Sequence, residues 1–149
     1  MIREIFNLDP KLKIFAYIFL LANKLQTTMD QSIDEITSKQ WFLLAALSYF
    51  KEPPSLKELA SSIGSSHQNI RQMVNKLEER GFVSTSRDSA DKRTIRISLT
   101  KKVNEWQEKN EEMQVEFLKS FYSGISNEDL TIVSKSMEKL YDNLGGIIW

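Results

Sequence analysis

Two short segments of the chain carry apolar residues at the three- and four-residue spacing that lines one face of a helix. The first set consists of Leu56, Leu59, Ala60 and Ile63. The second set consists of Ile70, Met73, Val74 and Leu77. Between them lies Gly64, whose lack of a side chain suits the open backbone of a sharp turn. The pattern predicts two helices joined by a tight turn, with both apolar faces in one core.

Local signals predict where these helices begin and end. Ser55 followed by Glu58 is a capping box, in which the serine oxygen accepts one free amide and the carboxylate accepts another. Ser65 or Ser66 can cap the second helix, and Gly81 can end it. The first helix is therefore predicted to begin near Ser55.

Beyond Gly81 the apolar spacing changes to the two-residue alternation of β-strands. Residues 82–85 and 94–99 are rich in β-branched side chains. The second run alternates strictly, with one side formed by Ile95, Ile97 and Leu99. The turn formers between the runs are Asp88, Ser89, Ala90 and Asp91. Lys92 and Arg93 follow at a tip that can reach phosphates or a minor groove, so the pattern predicts a basic two-stranded hairpin.

This order of elements is that of a helix-turn-helix with a wing, a unit that presents one helix and one loop to a DNA duplex. The polar face of the second helix is formed by Gln68, Arg71, Gln72 and Asn75. Amide side chains can bind adenine, arginine can bind guanine, and all of them can bind phosphate oxygens. On an isolated helix such a face is more often simply solvated, but the preceding turn and the following wing favour DNA binding.

Three segments at these positions resemble the signature of MarR-type winged-helix transcriptional regulators. They are residues 77–83 (LEERGFV), 91–94 (DKRT) and 97–100 (ISLT). The resemblance covers the core from about residue 39 to residue 100, whereas the flanking helices agree only in number and length.

The resemblance implies roles for individual wing residues. The arginine of the wing, here Arg93, is expected to enter the minor groove, and Asp91 is expected to help fix the wing. Lys92 stands where the family accepts a basic residue. Two positions depart from the family, which often has arginine in place of Gln72 and aspartate in place of Asn75. The departures leave the expectation of DNA binding in place and leave the preferred DNA sequence open.

The expected partner is double-stranded DNA with a roughly palindromic operator. The residues predicted to contact it are Ser65, Ser66, Gln68, Asn69, Arg71, Gln72, Asn75, Lys76, Arg87, Asp91, Lys92 and Arg93.

Both ends of the chain carry helical apolar stripes that a winged helix of roughly 60 residues cannot cover. Asp9 and Pro10 open the first of these helices. Its stripe is formed by Ile14, Tyr17, Ile18, Leu21 and Leu25. A long polar helix from Thr100 to about Phe121 precedes a last helix that starts near Ser126 and stops at the glycines 145 and 146. Two copies of the chain can bury these stripes, which favours a homodimer; the alternative is a monomer whose terminal helices fold back.

The predicted fold class is mainly α (α+β), a winged helix-turn-helix with N- and C-terminal dimerisation helices. The predicted domains are an N-terminal dimerisation helix in residues 1–36, the DNA-binding domain in residues 37–100, and C-terminal dimerisation helices in residues 101–149.

The charges are segregated along the chain although the net charge is zero. Residues 63–102 hold nine basic and four acidic side chains, and residues 103–149 hold four basic and nine acidic ones. Phosphate attraction depends on the contacting surface, so the basic stretch supports the assignment of the winged helix to DNA binding.

The amino-acid composition further limits the class of protein to which the chain can belong. The 149 residues are 41% hydrophobic and 27% charged, which is ordinary for one globular unit. The chain has no cysteine, which excludes disulfides, thiolate metal sites and thiol redox sensing. The longest apolar run, residues 14–22, is too short to span a membrane and lacks a signal cleavage site, so we expect a buried helix and a cytoplasmic protein.

The sequence offers little for catalysis, and we expect neither an enzyme nor a cofactor. A zinc site or a nucleophilic triad would depend on the one histidine, His67, which is interpreted as a partly packed structural residue. No glycine-rich phosphate loop is found among the five glycines, and no metal ligands are predicted.

The expected function is that of a sequence-specific DNA-binding transcriptional regulator. The resemblance implies a repressor released by a small aromatic effector, bound between the dimer helices and the DNA-binding lobe. The candidate pocket residues are Tyr17, Trp41, Phe42 and Trp106, for which the simpler interpretation is plain core. The alternative function is a winged-helix protein-interaction module in which Arg87, Lys92 and Arg93 bind an acidic partner without DNA.

Overall fold

The computed structural model describes residues 9–145 of the protein. This range contains six helices and a two-stranded antiparallel sheet. In chain order the elements are α1 (Pro10–Ser32), α2 (Ser38–Ser48), α3 (Leu56–Ser62), α4 (His67–Glu79), β1 (Val83–Arg87), β2 (Ile95–Leu99), α5 (Lys101–Phe121) and α6 (Asn127–Gly145). Of the described residues, 69% are helical, which confirms the predicted winged-helix fold class. None of the described helices is long and apolar enough to cross a lipid bilayer.

The chain divides into two compact units, with the boundary between Glu105 and Trp106. The first unit contains α1 to β2 and the first residues of α5, and the second contains the rest of α5 and α6. The predicted division at residues 36 and 100 stays a prediction.

Side-chain caps set the start of the first three helices in the first unit. The Asp9 carboxylate accepts the backbone N–H of Lys11 at 2.9 Å, one residue after the proline that opens α1. The predicted box at Ser55 is present, since Glu58 Oε2 accepts the Ser55 N–H at 2.7 Å and Ser55 Oγ accepts the Glu58 N–H at 3.2 Å. Thr37 and Gln40 form the same reciprocal pair at the start of α2. These caps satisfy amides that have no partner within the helix.

The turn between α3 and α4 depends on one glycine. Gly64 adopts a φ of 63°, a left-handed conformation that side chains disfavour. Ser66 is the cap of α4, because its Oγ accepts the Asn69 N–H at 3.2 Å. Ser65 instead accepts a hydrogen bond from the Asn69 side-chain amide at 2.9 Å. Of the two caps that the sequence allowed, the structure therefore uses Ser66.

A second left-handed glycine ends α4 and starts the wing. Gly81 has a φ of 78°, its N–H donates to the Glu78 carbonyl at 2.9 Å, and the Phe82 N–H donates to the Leu77 carbonyl at 2.9 Å. This pair of bonds is the Schellman motif. It turns Phe82 back into the core, where the side chain has no exposed surface.

The two strands pair antiparallel from Val83 opposite Leu99 to Arg87 opposite Ile95. A contact from outside the hairpin extends this ribbon: the Ile97 N–H donates to the Pro54 carbonyl at 3.0 Å, in the loop that precedes α3. No local sequence pattern predicted this additional pairing. It fixes β2 to the start of the helix-turn-helix.

The core of the first unit is built from the apolar faces of α2, α3 and α4 and the inner side of the ribbon. Its most buried side chains are Leu43, Leu59, Ile70, Val74, Leu77, Phe82, Val83 and Ile97. Ile63, predicted to share the core face of α3, is only half-buried at the end of that helix. Burial of one such side chain contributes roughly 1.5–3 kcal/mol.

In the second unit, Ser126 caps α6 by accepting the Asp129 N–H at 3.1 Å, as predicted. Gly145 is still helical, and the predicted stop at residue 146 lies outside the described residues. No described residue of α6 is buried, and the same is true of α1. The apolar side chains left exposed on these helices include Ile14, Phe15, Phe19, Leu21, Ile132, Val133, Met137, Leu140 and Leu144.

We expect Ile70→Ala to lower the free energy of unfolding by about 2–5 kcal/mol, because it removes a fully buried side chain and leaves a cavity. Tyr49→Ala is the control, since that side chain is 88% exposed and its loss should change stability by about 0.5 kcal/mol or less. Urea unfolding at a fixed protein concentration measures both. Equal stability of the two variants would contradict this assignment of the core.

Candidate nucleic-acid interface

The outer face of α4 is polar and open to solvent. Gln68, Arg71, Gln72 and Asn75 are all exposed. The opposite face is buried, because Ile70, Val74 and Leu77 pack into the core of the unit. The helix is thus held by its apolar side, and its amide and guanidinium groups stay available for base edges or phosphates.

Other predicted contact residues at the start of α4 build the turn itself. Ser66 accepts the Asn69 N–H and Ser65 accepts the Asn69 side-chain amide. Lys76, in the last turn of the helix, is exposed. The structure therefore places Ser65, Ser66 and Asn69 together in a hydrogen-bonded cluster that fixes the orientation of the exposed helix face.

Asp91 organises the tip of the wing. Its Oδ1 accepts the Arg93 N–H at 3.0 Å, and its Oδ2 accepts the Thr94 hydroxyl at 3.0 Å. The Arg93 guanidinium lies 3.8 Å from the same carboxylate and its side chain is 97% exposed. The carboxylate shapes the loop, and the arginine extends into solvent.

A second wing carboxylate, Asp88, was predicted only as a turn former, but it accepts several hydrogen bonds. It accepts the backbone N–H of Ala90 at 2.8 Å and of Asp91 at 2.9 Å, and the Arg96 Nε–H at 2.6 Å. The bond from the Asp91 amide, and then those from Arg96 and Ala90, lower the pKa of Asp88 from 3.8 to about 2. Asp88 is thus the hydrogen-bond centre of the wing loop.

Arg96 is not a free cation, although it belongs to the basic stretch of the sequence. Besides Asp88, its guanidinium contacts Glu58 Oε2 at 2.9 Å and the Pro53 carbonyl at 3.4 Å. The Ser55 amide, and to a smaller extent Arg96, lower the pKa of Glu58. Sequence reasoning missed this cluster, because its members are far apart along the chain.

Two further cations of the basic stretch belong to a polar cluster at the other end of α4. Arg80 donates to the backbone carbonyl of Glu35, and Lys102 pairs with the Glu35 carboxylate at 3.1 Å. Lys102 also donates to the Arg80 carbonyl at 3.0 Å and lies 4.5 Å above the Phe82 ring. These residues border an open cavity of about 510 Å³ together with Ile36 and Thr37.

The remaining basic side chains of the winged helix carry its available positive charge. Within residues 9–145, no salt bridge involves Arg71, Lys76, Arg87 or Lys92. With Arg93, these cations are distributed over the recognition helix and the wing, which are the two surfaces that the sequence predicted to face DNA.

The candidate effector residues have different surroundings. Trp106 is buried with 4% of its surface exposed, Phe42 is 53% exposed, and Tyr17 and Trp41 are half-buried. None of the four borders the cavity at Glu35 or the smaller one, of about 230 Å³, between the loop after α2 and β2. Their role in effector binding stays a prediction.

The interpretation of His67 as a partly packed residue is wrong. It is exposed in the first turn of α4, where the helix has no preceding turn to cover it. Among residues 9–145, no group of histidine and acidic side chains is arranged to hold a metal ion.

The pKa of Asp88 predicts an acid-sensitive wing. Because the folded-state value of about 2 lies below the ordinary 3.8, the carboxylate stabilises the folded state fully above about pH 4. This contribution is lost as the pH falls toward about 2. In urea unfolding between pH 5 and pH 2, the wild type should therefore lose more stability than Asp88→Asn.

Asp142→Asn is the matched control, since Asp142 is exposed and none of the bonds described within residues 9–145 involves it. Its pH profile should follow that of the wild type. A profile of Asp88→Asn that also follows the wild type would contradict the assigned role of Asp88.

The comparisons with known proteins agree with this geometry. The MarR family model matches residues 36–95. The fold is similar to that of a MarR/EmrR family transcriptional regulator from Acinetobacter sp. ADP1, with a TM-score of 0.80, 22% identity, and 94% of this chain and 100% of that chain covered. It is also similar to MepR of S. aureus, solved in complex with DNA, with a TM-score of 0.76, 18% identity, and coverage of 87% and 97%.

A third structure concerns the regulation of DNA binding of BpsR from Bordetella bronchiseptica by 6-hydroxynicotinic acid. Its TM-score is 0.72 at 19% identity, with 85% of this chain and 92% of that chain covered. These structures show a shared fold, and the family match covers the helix-turn-helix and most of the wing. Residues 36–95 therefore match the MarR family, and the chain shares the fold of the solved MarR-type regulators.

Proposed function

We propose that this protein is a sequence-specific DNA-binding transcriptional regulator that acts as a homodimer on a roughly palindromic operator. The observation that carries the proposal is the exposed polar face of α4 beside a wing whose cations are available. The helix and most of the wing lie in the segment that matches the MarR family, and the similar MepR was solved with DNA.

The recognition helix supports direct base contacts. Arg71 can donate two parallel bonds to guanine, and the amides of Gln68, Gln72 and Asn75 can pair with adenine. Lys76 and the neutral amides can also bind phosphates, which positions a duplex without reading its sequence. The neutral Gln72 and Asn75, where the resemblance implies a charged pair, favour a DNA sequence different from that of relatives that carry the pair.

The wing supports a minor-groove contact. Asp91 holds the backbone of the tip, so the exposed Arg93 starts from a fixed loop and loses little backbone entropy on binding. A narrow minor groove has an enhanced negative potential that attracts an inserted arginine.

The exposed apolar faces of the terminal helices support dimerisation. α1 and α6 have no buried residue in the single chain, although both are rich in large apolar side chains. Contiguous apolar surface of this kind marks an interface, and a two-fold dimer would present two recognition helices to half-sites about 34 Å apart.

We further propose that the protein is a repressor released by a small aromatic effector. BpsR supports the ligand class, because its DNA binding is regulated by 6-hydroxynicotinic acid. An effector can release DNA only if it binds the DNA-incompetent arrangement of the dimer more tightly than the competent one.

DNA binding is tested by titrating a duplex taken from upstream of the coding sequence at several salt concentrations. We expect affinity to fall steeply with salt, because bound lysine and arginine side chains release counterions from DNA. Arg93→Ala should weaken binding by about tenfold or more and flatten the salt dependence.

Lys139→Ala removes the same charge from α6, outside the winged helix, and should leave affinity nearly unchanged. Loss of affinity by both variants to the same extent would argue against a specific wing contact. Absent or salt-independent binding by the wild type would instead favour a winged-helix module that binds protein.

The dimer is tested by light scattering at micromolar concentration, where we expect a mass about twice the 17.3 kDa of the chain. Val133→Asp places a charge on an exposed apolar position of α6 and should shift the mass toward the monomer. Lys135→Asp, at an exposed polar position of the same helix, should leave the mass unchanged. A wild-type mass of 17.3 kDa would exclude the dimer.

A further inference from the structure

Arg96 lies on β2, between the wing loop and the first helix of the helix-turn-helix. One guanidinium contacts the carboxylate of Asp88 through Nε at 2.6 Å and the carboxylate of Glu58 through Nη1 at 2.9 Å. The Arg96 side chain is 33% exposed and that of Asp88 is 17% exposed, so this pair is partly shielded from water. The Arg96 side chain thus contacts Glu58, which lies 38 positions earlier in the chain, and Asp88, which lies 8 positions earlier.

Each partner of Arg96 is itself fixed to backbone. Asp88 accepts the amides of Ala90 and Asp91, which lead to the wing tip. Glu58 accepts the amide of Ser55 in the capping box that begins α3. Movement of the wing loop relative to α3 would therefore break bonds at the Arg96 guanidinium.

The backbone limits the same movement one step further along the strand. The Ile97 N–H donates to the Pro54 carbonyl at 3.0 Å, and Ser55 forms a bridge with Arg96. These bonds hold β2, and the Asp88 N–H ties the loop between the strands to the start of β2 by donating to the Thr94 carbonyl at 2.9 Å. The link from Arg96 to Asp88 and Glu58 adds a side-chain constraint between that loop and α3.

A lysine could replace this function of Arg96 only in part. The guanidinium is a planar fork that directs donors to two carboxylates and a carbonyl at once, whereas an ammonium is a point charge on a flexible stem. Because two acids neutralise Arg96, it contributes little to phosphate attraction, and its place within a basic surface needs another explanation.

We propose that Arg96 is a positioning residue that fixes the wing against the helix-turn-helix and so sets how Arg93 and the face of α4 meet the duplex. The proposal rests on the proposed DNA-binding function and deepens it. It assigns a supporting role in DNA binding to Glu58 and Asp88, although their negative charges by themselves would repel DNA.

The sign of the effect distinguishes positioning from simple electrostatics. Glu58→Gln and Asp88→Asn each remove a negative charge near the wing, which by itself should strengthen DNA binding. Glutamine can still complete the capping box and asparagine can still accept the loop amides, so local structure is retained. If Arg96 positions the wing, both variants should instead weaken DNA binding, by roughly fivefold.

The experiment measures the affinity of the full-length protein for the operator duplex, with Glu52→Gln as the control. Glu52 is exposed in the loop before α3, and none of the ion pairs described within residues 9–145 involves it, so its neutralisation should leave affinity equal or slightly higher. Arg96→Gln and Arg96→Lys should both weaken binding, with lysine retaining more affinity because it can pair with one acid.

A double-mutant cycle separates positioning from a general loss of stability. Once Arg96→Gln is present, Glu58→Gln should cause little further loss of affinity, because the two residues act through one contact. Hydrogen exchange of the free variants should show faster exchange at the amides of Ala90, Asp91 and Thr94 than in the wild type. Exchange in the amides of the α4 core should stay unchanged.

Two outcomes would overturn the proposal and can be told apart. If the wild type binds DNA and Glu58→Gln and Asp88→Asn bind as tightly as Glu52→Gln or tighter, the positioning role is wrong and the proposed function stands. If the wild type does not bind DNA at low salt, the proposed function fails and the positioning role fails with it.

Discussion

The burial of one face of α4 is the constraint on which the winged helix depends. Ile70, Val74 and Leu77 are almost completely buried, and at 3.6 residues per turn this turns Arg71 and Gln72 outward. The same core includes Phe82, which follows the left-handed Gly81. The packing that fixes the exposed face of α4 therefore also fixes where the two-stranded ribbon begins. Recognition helix and wing are thereby held by one apolar cluster.

The wing loop is held by polar bonds instead, because an exposed loop has no apolar cluster to order it. The carboxylates of Asp88 and Asp91 accept the loop amides and leave the basic tip in solvent. These bonds join residues two or three positions apart, so they shape the loop without fixing its orientation relative to α3. Orientation relative to α3 requires contacts between residues far apart in the sequence. The backbone bond from Ile97 to Pro54 holds the strand, and the pair of Arg96 with Glu58 adds a side-chain contact beside the loop.

This difference in range decides what the sequence could predict. The capping box at Ser55 and the left-handed Gly64 and Gly81 follow from residues at most a few positions apart, and all three were predicted correctly. The pairing of Arg96 with Glu58 spans 38 positions, and in a count of charges Arg96 was indistinguishable from a free cation. Helical periodicity placed His67 near the apolar face of α4. Periodicity alone does not show whether another element covers the first turn of a helix, and His67 is exposed there.

The distribution of charge explains how a chain of zero net charge can attract DNA, which is a polyanion. Exposed charges act over about 10 Å at moderate salt, so phosphates respond to a local surface rather than to the whole chain. Two of the four acids between residues 63 and 102, Asp88 and Asp91, are turned toward loop amides, where they organise the cations beside them. The acidic excess of residues 103–149 repels phosphates from that stretch. Segregation of charge along the sequence therefore directs a duplex to the helix face and wing that the apolar core holds in place.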